Sequence, residues 1–291
     1  MRVRIILVLG AALLGWALPA AARGSTLQVV AAENVYGDIV SQIGGSHVSV
    51  TSILSDPNAD PHVYEPGTRN GLAVATAKLV IQNGLGYDAF MTRLEAASPN
   101  KQRIVITIAD ALGIHGNNAN PHLWYDVPEL NRIAAAIASG LERADPGHGP
   151  AYRTGLTRFT ASLAPLKREV ALIKTAFAGK PIAYTEPVPG YLTSAAGLVN
   201  LAPDSFTPAI EDGSEPPPQA VAAMTALTTR HKIKALLYNS QTISPITQRI
   251  RDAALRAGIP VIPVTETLPP HQSFQQWQLA QAKQLYAALT R

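Results

Sequence analysis

The sequence predicts an α/β protein made of two similar α/β lobes with mostly parallel sheets, joined by a long rigid helix. Three observations carry this expectation. Short β-branched runs alternate with longer helical stretches, the pattern of βαβ units. The second half of the chain repeats motifs of the first, in order, at offsets of about 150 to 156 residues. Between the halves runs a single apolar stripe with helical spacing.

Taken in order, residues 1–22 read as a secretory signal: a basic start at Arg2 and Arg4, an apolar run from Ile5 to Leu18, and small residues at Ala20, Ala21 and Ala22. The run is too short to span a bilayer comfortably. Cleavage after Ala22 leaves a chain with no stable membrane insertion. Residues 23–144 form the expected N-terminal lobe. Its strand candidates are Leu27 to Ala32, Val48–Ile53, Leu79–Gln82 and Ile104–Ile108. Residues 145–180 form the linking helix. Tyr152, Leu156, Phe159, Leu163, Leu166, Val170, Ile173 and Phe177 recur at alternating intervals of four and three, one face of a helix about 40 Å long. Asp145-Pro146-Gly147 punctuates its start, Gly179-Lys180-Pro181 ends it, and Pro165 should kink or unwind it locally. Such a rod should hold relative lobe motion to small tilts. Residues 181–291 form the C-terminal lobe, with strand candidates Ile182 to Thr185, Ala235–Tyr238 and Pro260–Val264.

The repeat aligns Glu33-Asn34-Val35-Tyr36-Gly37 with Glu186-Pro187-Val188-Pro189-Gly190, and Glu65-Pro66 with Glu215-Pro216. It continues with the run Lys78 to Asn83 against Lys234 to Asn239, and with Asp110 opposite Glu266.

Composition narrows the function. Charged residues make up 15% and hydrophobic ones 47%, which describes a globular chain and not a disordered one. The net charge of +4 includes the two arginines of the signal, so the rest gives no case for nucleic acid. There are no cysteines. An exported chain without them has no disulfides, builds any metal site from histidine and carboxylate, and lacks the acylation cysteine of a lipoprotein. That favours a soluble periplasmic protein.

Of seven histidines, two stand in stiffened loops directly after proline: His62 in Asp60-Pro61-His62-Val63-Tyr64-Glu65-Pro66, and His122 in Asn120-Pro121-His122-Leu123-Trp124-Tyr125-Asp126. A rigidly presented imidazole suits a metal ligand, because the site's geometry then exists before the ion arrives. These paired motifs resemble the zinc/manganese family of metal-binding solute-binding proteins of ABC transporters. The similarity runs on through Tyr184-Thr185-Glu186-Pro187, Ser214-Glu215-Pro216, Tyr238-Asn239-Ser240-Gln241, Val264-Thr265-Glu266-Thr267 and Ser273 to Trp277.

The resemblance implies a periplasmic, monomeric, non-enzymatic protein. It captures a divalent transition metal ion, Zn²⁺ or Mn²⁺, as cargo between the lobes and delivers it to an ABC transporter permease. Carried over by position, the ligands are His62, His122, Glu186 and Glu266. Many zinc-binding members have histidine where Glu186 stands, aspartate is common at Glu266, and the long His-rich loop is missing. Imidazoles with carboxylates serve both ions: affinity order favours Zn²⁺, and two glutamates able to bind through both oxygens lean toward the harder Mn²⁺. Glu65, Asp126 and Glu215 are expected to orient ligands, and Tyr64, Trp124 and Tyr125 to pack around them. The rival readings are a metal-dependent hydrolase, a surface adhesin, and a binding protein for an organic solute or metal chelate. No His-Glu-x-x-His, Gly-x-Ser-x-Gly or Gly-rich phosphate motif supports the first.

Overall fold

A computed structural model describes residues 26–291 apart from 58, 60 and 117. The expected signal segment therefore lies outside the described residues, and so does the side chain of His62. The first lobe runs β1 (Leu27–Glu33), α1 (Asn34–Gly44), β2 (Val48–Leu54), α2 (Thr68–Thr76), β3 (Leu79–Gln82), α3 (Ala89–Ala97), β4 (Ile104–Thr107), α4 (Ile108–Leu112) and α5 (Leu130–Ala144). Two helices follow, α6 (Gly149–Ser162) and α7 (Ala164–Phe177). The second lobe runs β5 (Pro181–Tyr184), α8 (Gly190–Ala195), β6 (Val199–Asn200), α9 (Thr207–Glu211), α10 (Pro218–Thr229), β7 (Leu236–Asn239), α11 (Pro245–Arg256), β8 (Val261–Val264) and α12 (Phe274–Leu289).

Each lobe holds a four-stranded sheet, in the orders β2-β1-β3-β4 and β6-β5-β7-β8. All strand pairs are parallel. Parallel sheets covered on both faces need continuous apolar strands, and Leu79, Val80 and Ile81 of β3 are fully buried, as are Leu236 and Leu237 of β7. The registers match as well. Ala31 pairs with Ile81 in the first sheet and Tyr184 with Leu237 in the second. Two residues further along, Glu33 stands level with Asn83, and Glu186 level with Asn239.

The connector is two helices end to end. The break falls at Leu163, two residues before Pro165, which occupies the first turn of α7. Proline lacks the N–H that would continue the ladder and crowds the carbonyl four residues back, so the local unwinding is its doing. The stripe still faces inward: Tyr152, Phe159, Leu163, Leu166, Val170 and Ile173 are buried. Helix α6 packs on α1 and α5 of the first lobe, and α7 on α12 of the second. Gly155 permits the closest approach, since a Cβ there would sit 2.1 Å from the Ile43 carbonyl oxygen.

The largest apolar cluster is continuous across both lobes, from Val29 and Ile39 through Trp124 and Phe159 to Leu237, Ile262 and Leu285. Two satellite clusters fill the outer faces, around Val80 and Met91 and around Met224 and Ile250. Among the described residues no helix is long and apolar enough to cross a membrane.

Candidate metal centre

Ligands of open parallel sheets gather beyond the carboxyl ends of strands. Glu186 follows β5, Glu266 follows β8, and His122 lies in the loop between α4 and α5. The fold seals these three from water: His122 is 0% exposed, Glu186 1% and Glu266 1%. His62 sits in a short 3-10 turn, Pro61–Val63, beyond β2. Among the described residues no three His, Asp or Glu side chains close on one point as a finished coordination sphere.

The contacts between the three are direct or pass through one amide. His122 Nε2 lies 3.1 Å from Glu266 Oε2. Asn239 Nδ2 donates to Glu186 Oε2 at 2.6 Å and to Glu266 Oε1 at 2.7 Å, holding the two carboxylates apart and in place. Tyr87 Oη donates to Glu266 Oε2 across the lobes at 2.9 Å. Burial raises the Tyr87 hydroxyl well above its usual range, with the charges of Glu266 and Glu33 adding to it, so the tyrosine stays a donor. Gln241 clamps the turn that bears Glu266: its Oε1 accepts from the N–H groups of Glu266 and Thr267, and its Nε2 reaches the Pro57 carbonyl of the first lobe at 3.0 Å.

The His122 loop is fixed from the other side by Asn120. The Asn120 amide nitrogen donates to the Pro187 carbonyl at 2.8 Å, and its backbone carbonyl accepts from Tyr191 Oη at 2.9 Å. Gly190 leaves space for this contact, since a Cβ there would lie 2.8 Å from that amide nitrogen and the Asn120 side chain would have to shift. With the nitrogen so engaged, Asn120 Oδ1 faces His122, 2.8 Å from Nδ1 and 3.0 Å from the backbone nitrogen. Both ring nitrogens therefore point at oxygen acceptors, Asn120 Oδ1 and Glu266 Oε2. An imidazole that donates at Nδ1 presents a lone pair at Nε2. With Nδ1 engaged by Asn120, Nε2 is the ring nitrogen turned toward Glu266 and the one placed to coordinate an ion.

Several orienting roles differ from expectation. Glu65 and Glu215 are exposed and Asp126 is half-buried; the residues that hold the site acids are Asn239, Gln241 and Tyr87. Neutral amides and a phenol orient carboxylates without the repulsion that further acids would add. Trp124 and Tyr125 pack as expected, Trp124 edge-on to the His122 ring at 5.5 Å. Tyr64 packs against Phe90 in a satellite cluster. Two carboxylates outside the expected site set lie nearby: Glu211, which no motif marked, and Glu33, marked only as the repeat counterpart of Glu186. Glu211, at the end of α9, puts Oε1 3.9 Å from His122 Nδ1. Glu33 is 1% exposed, and among the described residues neither of its oxygens has a hydrogen-bond partner. Burial first, and the Asp88 charge second, raise its carboxyl well above the usual range.

The chain resembles several characterised proteins. It is 26% identical to the manganese ABC transporter substrate-binding lipoprotein PsaA of Streptococcus mitis, over 76% of this chain and 74% of the relative. Its fold is that of the solute-binding protein FpvC of Pseudomonas aeruginosa, solved in complex with Mn²⁺ (TM-score 0.77, 19% identity, 91% of this chain and 98% of the other). It is equally that of the periplasmic zinc-binding protein TroA of Treponema pallidum (TM-score 0.77, 18% identity, 91% and 100%). The model of the family described as zinc-uptake complex component A, periplasmic, matches residues 29–288, nearly all of the described chain, and the chain belongs to that family.

Proposed function

We propose that this protein is a solute-binding protein, not an enzyme, that captures a divalent transition metal ion, Zn²⁺ or Mn²⁺, between its lobes and delivers it to an ABC importer. The observation that carries the reading is the buried meeting of His122 Nε2 and Glu266 Oε2 at 3.1 Å, an imidazole nitrogen and a carboxylate oxygen brought together out of reach of water. The ligand set is His62, His122, Glu186 and Glu266, two from each lobe. Two carboxylates neutralise a dication and so offset part of the cost of removing it from water. The buried, polar packing of His122, Glu186 and Glu266 suits a bare ion better than an organic solute, which would need a roomy, mostly apolar pocket. Relatives named for manganese and for zinc support both ions as cargo.

The protein works as a soluble periplasmic monomer once residues 1–22 are removed, with lobes 23–144 and 181–291 on either side of the connector 145–180. Imidazole and carboxylate bind an ion only in their deprotonated forms, so capture weakens as pH falls.

Thermal unfolding of chelator-stripped protein with added Zn²⁺ or Mn²⁺ tests the reading. An ion at 100 times its Kd stabilises the fold by about 2.7 kcal/mol, a shift of several degrees, and His122→Ala abolishes the shift. No shift with either ion overturns metal capture and favours a metal chelate or an organic solute.

A further inference from the structure

We propose that Glu211 is the gate carboxylate of this site, the side chain that meets the incoming ion at the water boundary and passes it inward. The inference rests on the metal-capture reading above. Among the described side chains of the site, His122, Glu186, Glu266 and Asn239 are at most 1% exposed, so none of these four makes first contact with an ion arriving from solution. The Glu211 side chain is 14% exposed and lies 3.9 Å from the fully buried His122 ring, so it touches both water and the site.

That separation is too long for a hydrogen bond, yet close enough for the carboxylate charge to act on whatever occupies the site. The same charge acts on the Tyr87 hydroxyl, which in turn bonds Glu266. Glu211 therefore faces inward from the second lobe toward two residues of the first. Its backbone is anchored, because Phe206, Thr207 and Ile210 beside it are buried. Asp212 to Glu215, immediately after it, are exposed. Glu211 is thus the point where a fixed helix end meets an open loop. It also stands on the Nδ1 side of His122, away from the Nε2 that faces Glu266, which suits passage more than permanent ligation. A carboxylate at the boundary between water and a buried site raises the local concentration of a dication and speeds its arrival, and salt screens the effect.

Stopped-flow mixing with Mn²⁺ or Zn²⁺ tests this, read by tryptophan fluorescence, since Trp124 lies edge-on to His122. Glu211→Gln is compared with wild type and with Glu215→Gln, which removes the same charge from the exposed loop. The expected result is an association rate about tenfold lower in Glu211→Gln, with a dissociation rate that does not rise, and a difference that shrinks at high salt. Glu211→Asp, which keeps the charge, should recover most of the rate. Three results overturn the proposal: an unchanged association rate, a faster dissociation rate (the mark of a holding ligand), or an equal loss in Glu215→Gln. Wild-type protein that gives neither a fluorescence change nor a thermal shift with either ion overturns the metal-capture reading itself, and this inference with it.

Discussion

The two lobes place a glutamate and an asparagine at the same level of the same two strands and use them differently. In the second lobe the Asn239 amide reaches sideways to Glu186 and forward to Glu266. In the first lobe the Asn83 amide is taken by the carbonyls of Pro121 and Gly84, and its oxygen by Tyr36 Oη at 2.6 Å. Glu33 is left buried beside it. The divergence traces to one helix position. Tyr36 stands on α1 where the second lobe has Pro189, and its hydroxyl claims the asparagine. One frame thus supplies a scaffold on one side, tying down the residue before His122, and a pair of presented carboxylates on the other.

The largest effect that would test this asymmetry is on metal affinity. Glu186→Gln should weaken binding about 100-fold, whereas Glu33→Gln, its counterpart in the frame, should leave it nearly unchanged. Competition titration against a chelating dye reads both. Equal losses would mean that Glu33 belongs to the ion's surroundings and that the lobes are more alike than their hydrogen bonds suggest.

The asparagines come next. Asn239→Ala should destabilise the metal-free protein by about 1–3 kcal/mol for each carboxylate that loses this donor. It should also weaken metal binding about tenfold or more, since both carboxylates lose their spacing. Asn83→Ala removes an acceptor from Tyr36 and a donor from Pro121, so its cost should fall on stability first and on affinity less. Urea unfolding in chelator, paired with the same titration, separates the two outcomes. A larger affinity loss in Asn83→Ala would show that the His122 loop, and not the carboxylate pair, sets binding strength.

How much of this was legible in the sequence follows from the range of each signal. The strand candidates fall on β1 to β5, β7 and β8 because buried parallel strands are short, continuous and apolar. Only β6, two residues long, left no pattern. The lobe repeat was visible in matched glutamates and asparagines. The same matching misled where only the local text agreed. Glu65-Pro66 and Glu215-Pro216 look alike, yet both glutamates lie on the surface, and Asp110, matched to buried Glu266, is 70% exposed. Glu211 and Tyr87 could not be read at all. Their roles depend on contacts across the lobes, with Tyr87 and Glu266 separated by 179 residues, and no periodicity encodes such a meeting. Asn239 was visible as part of a motif, but that one amide spans two acids is a matter of register.

The smallest effect concerns the charge that the first lobe keeps buried. The Glu33 carboxyl is raised by burial and then by Asp88, so the folded protein holds a proton that the unfolded chain gives up. The stability linked to that proton is complete below the unfolded carboxyl's pKa of about 4.3 and is lost as pH rises toward the folded value. Asp88, pushed up to about 6, adds a slope of the same sign, so wild type alone is not diagnostic. The difference between two proteins is. Glu33→Gln should match wild type most closely near about pH 5 and become progressively the more stable of the two up to about pH 8, by at most about 1.4 kcal/mol per pH unit. Urea midpoints in chelator across that window measure the gap. A flat difference would mean that Glu33 is ionised throughout in the folded state, with a counter-charge that makes it a working partner of Glu186 and not its idle copy.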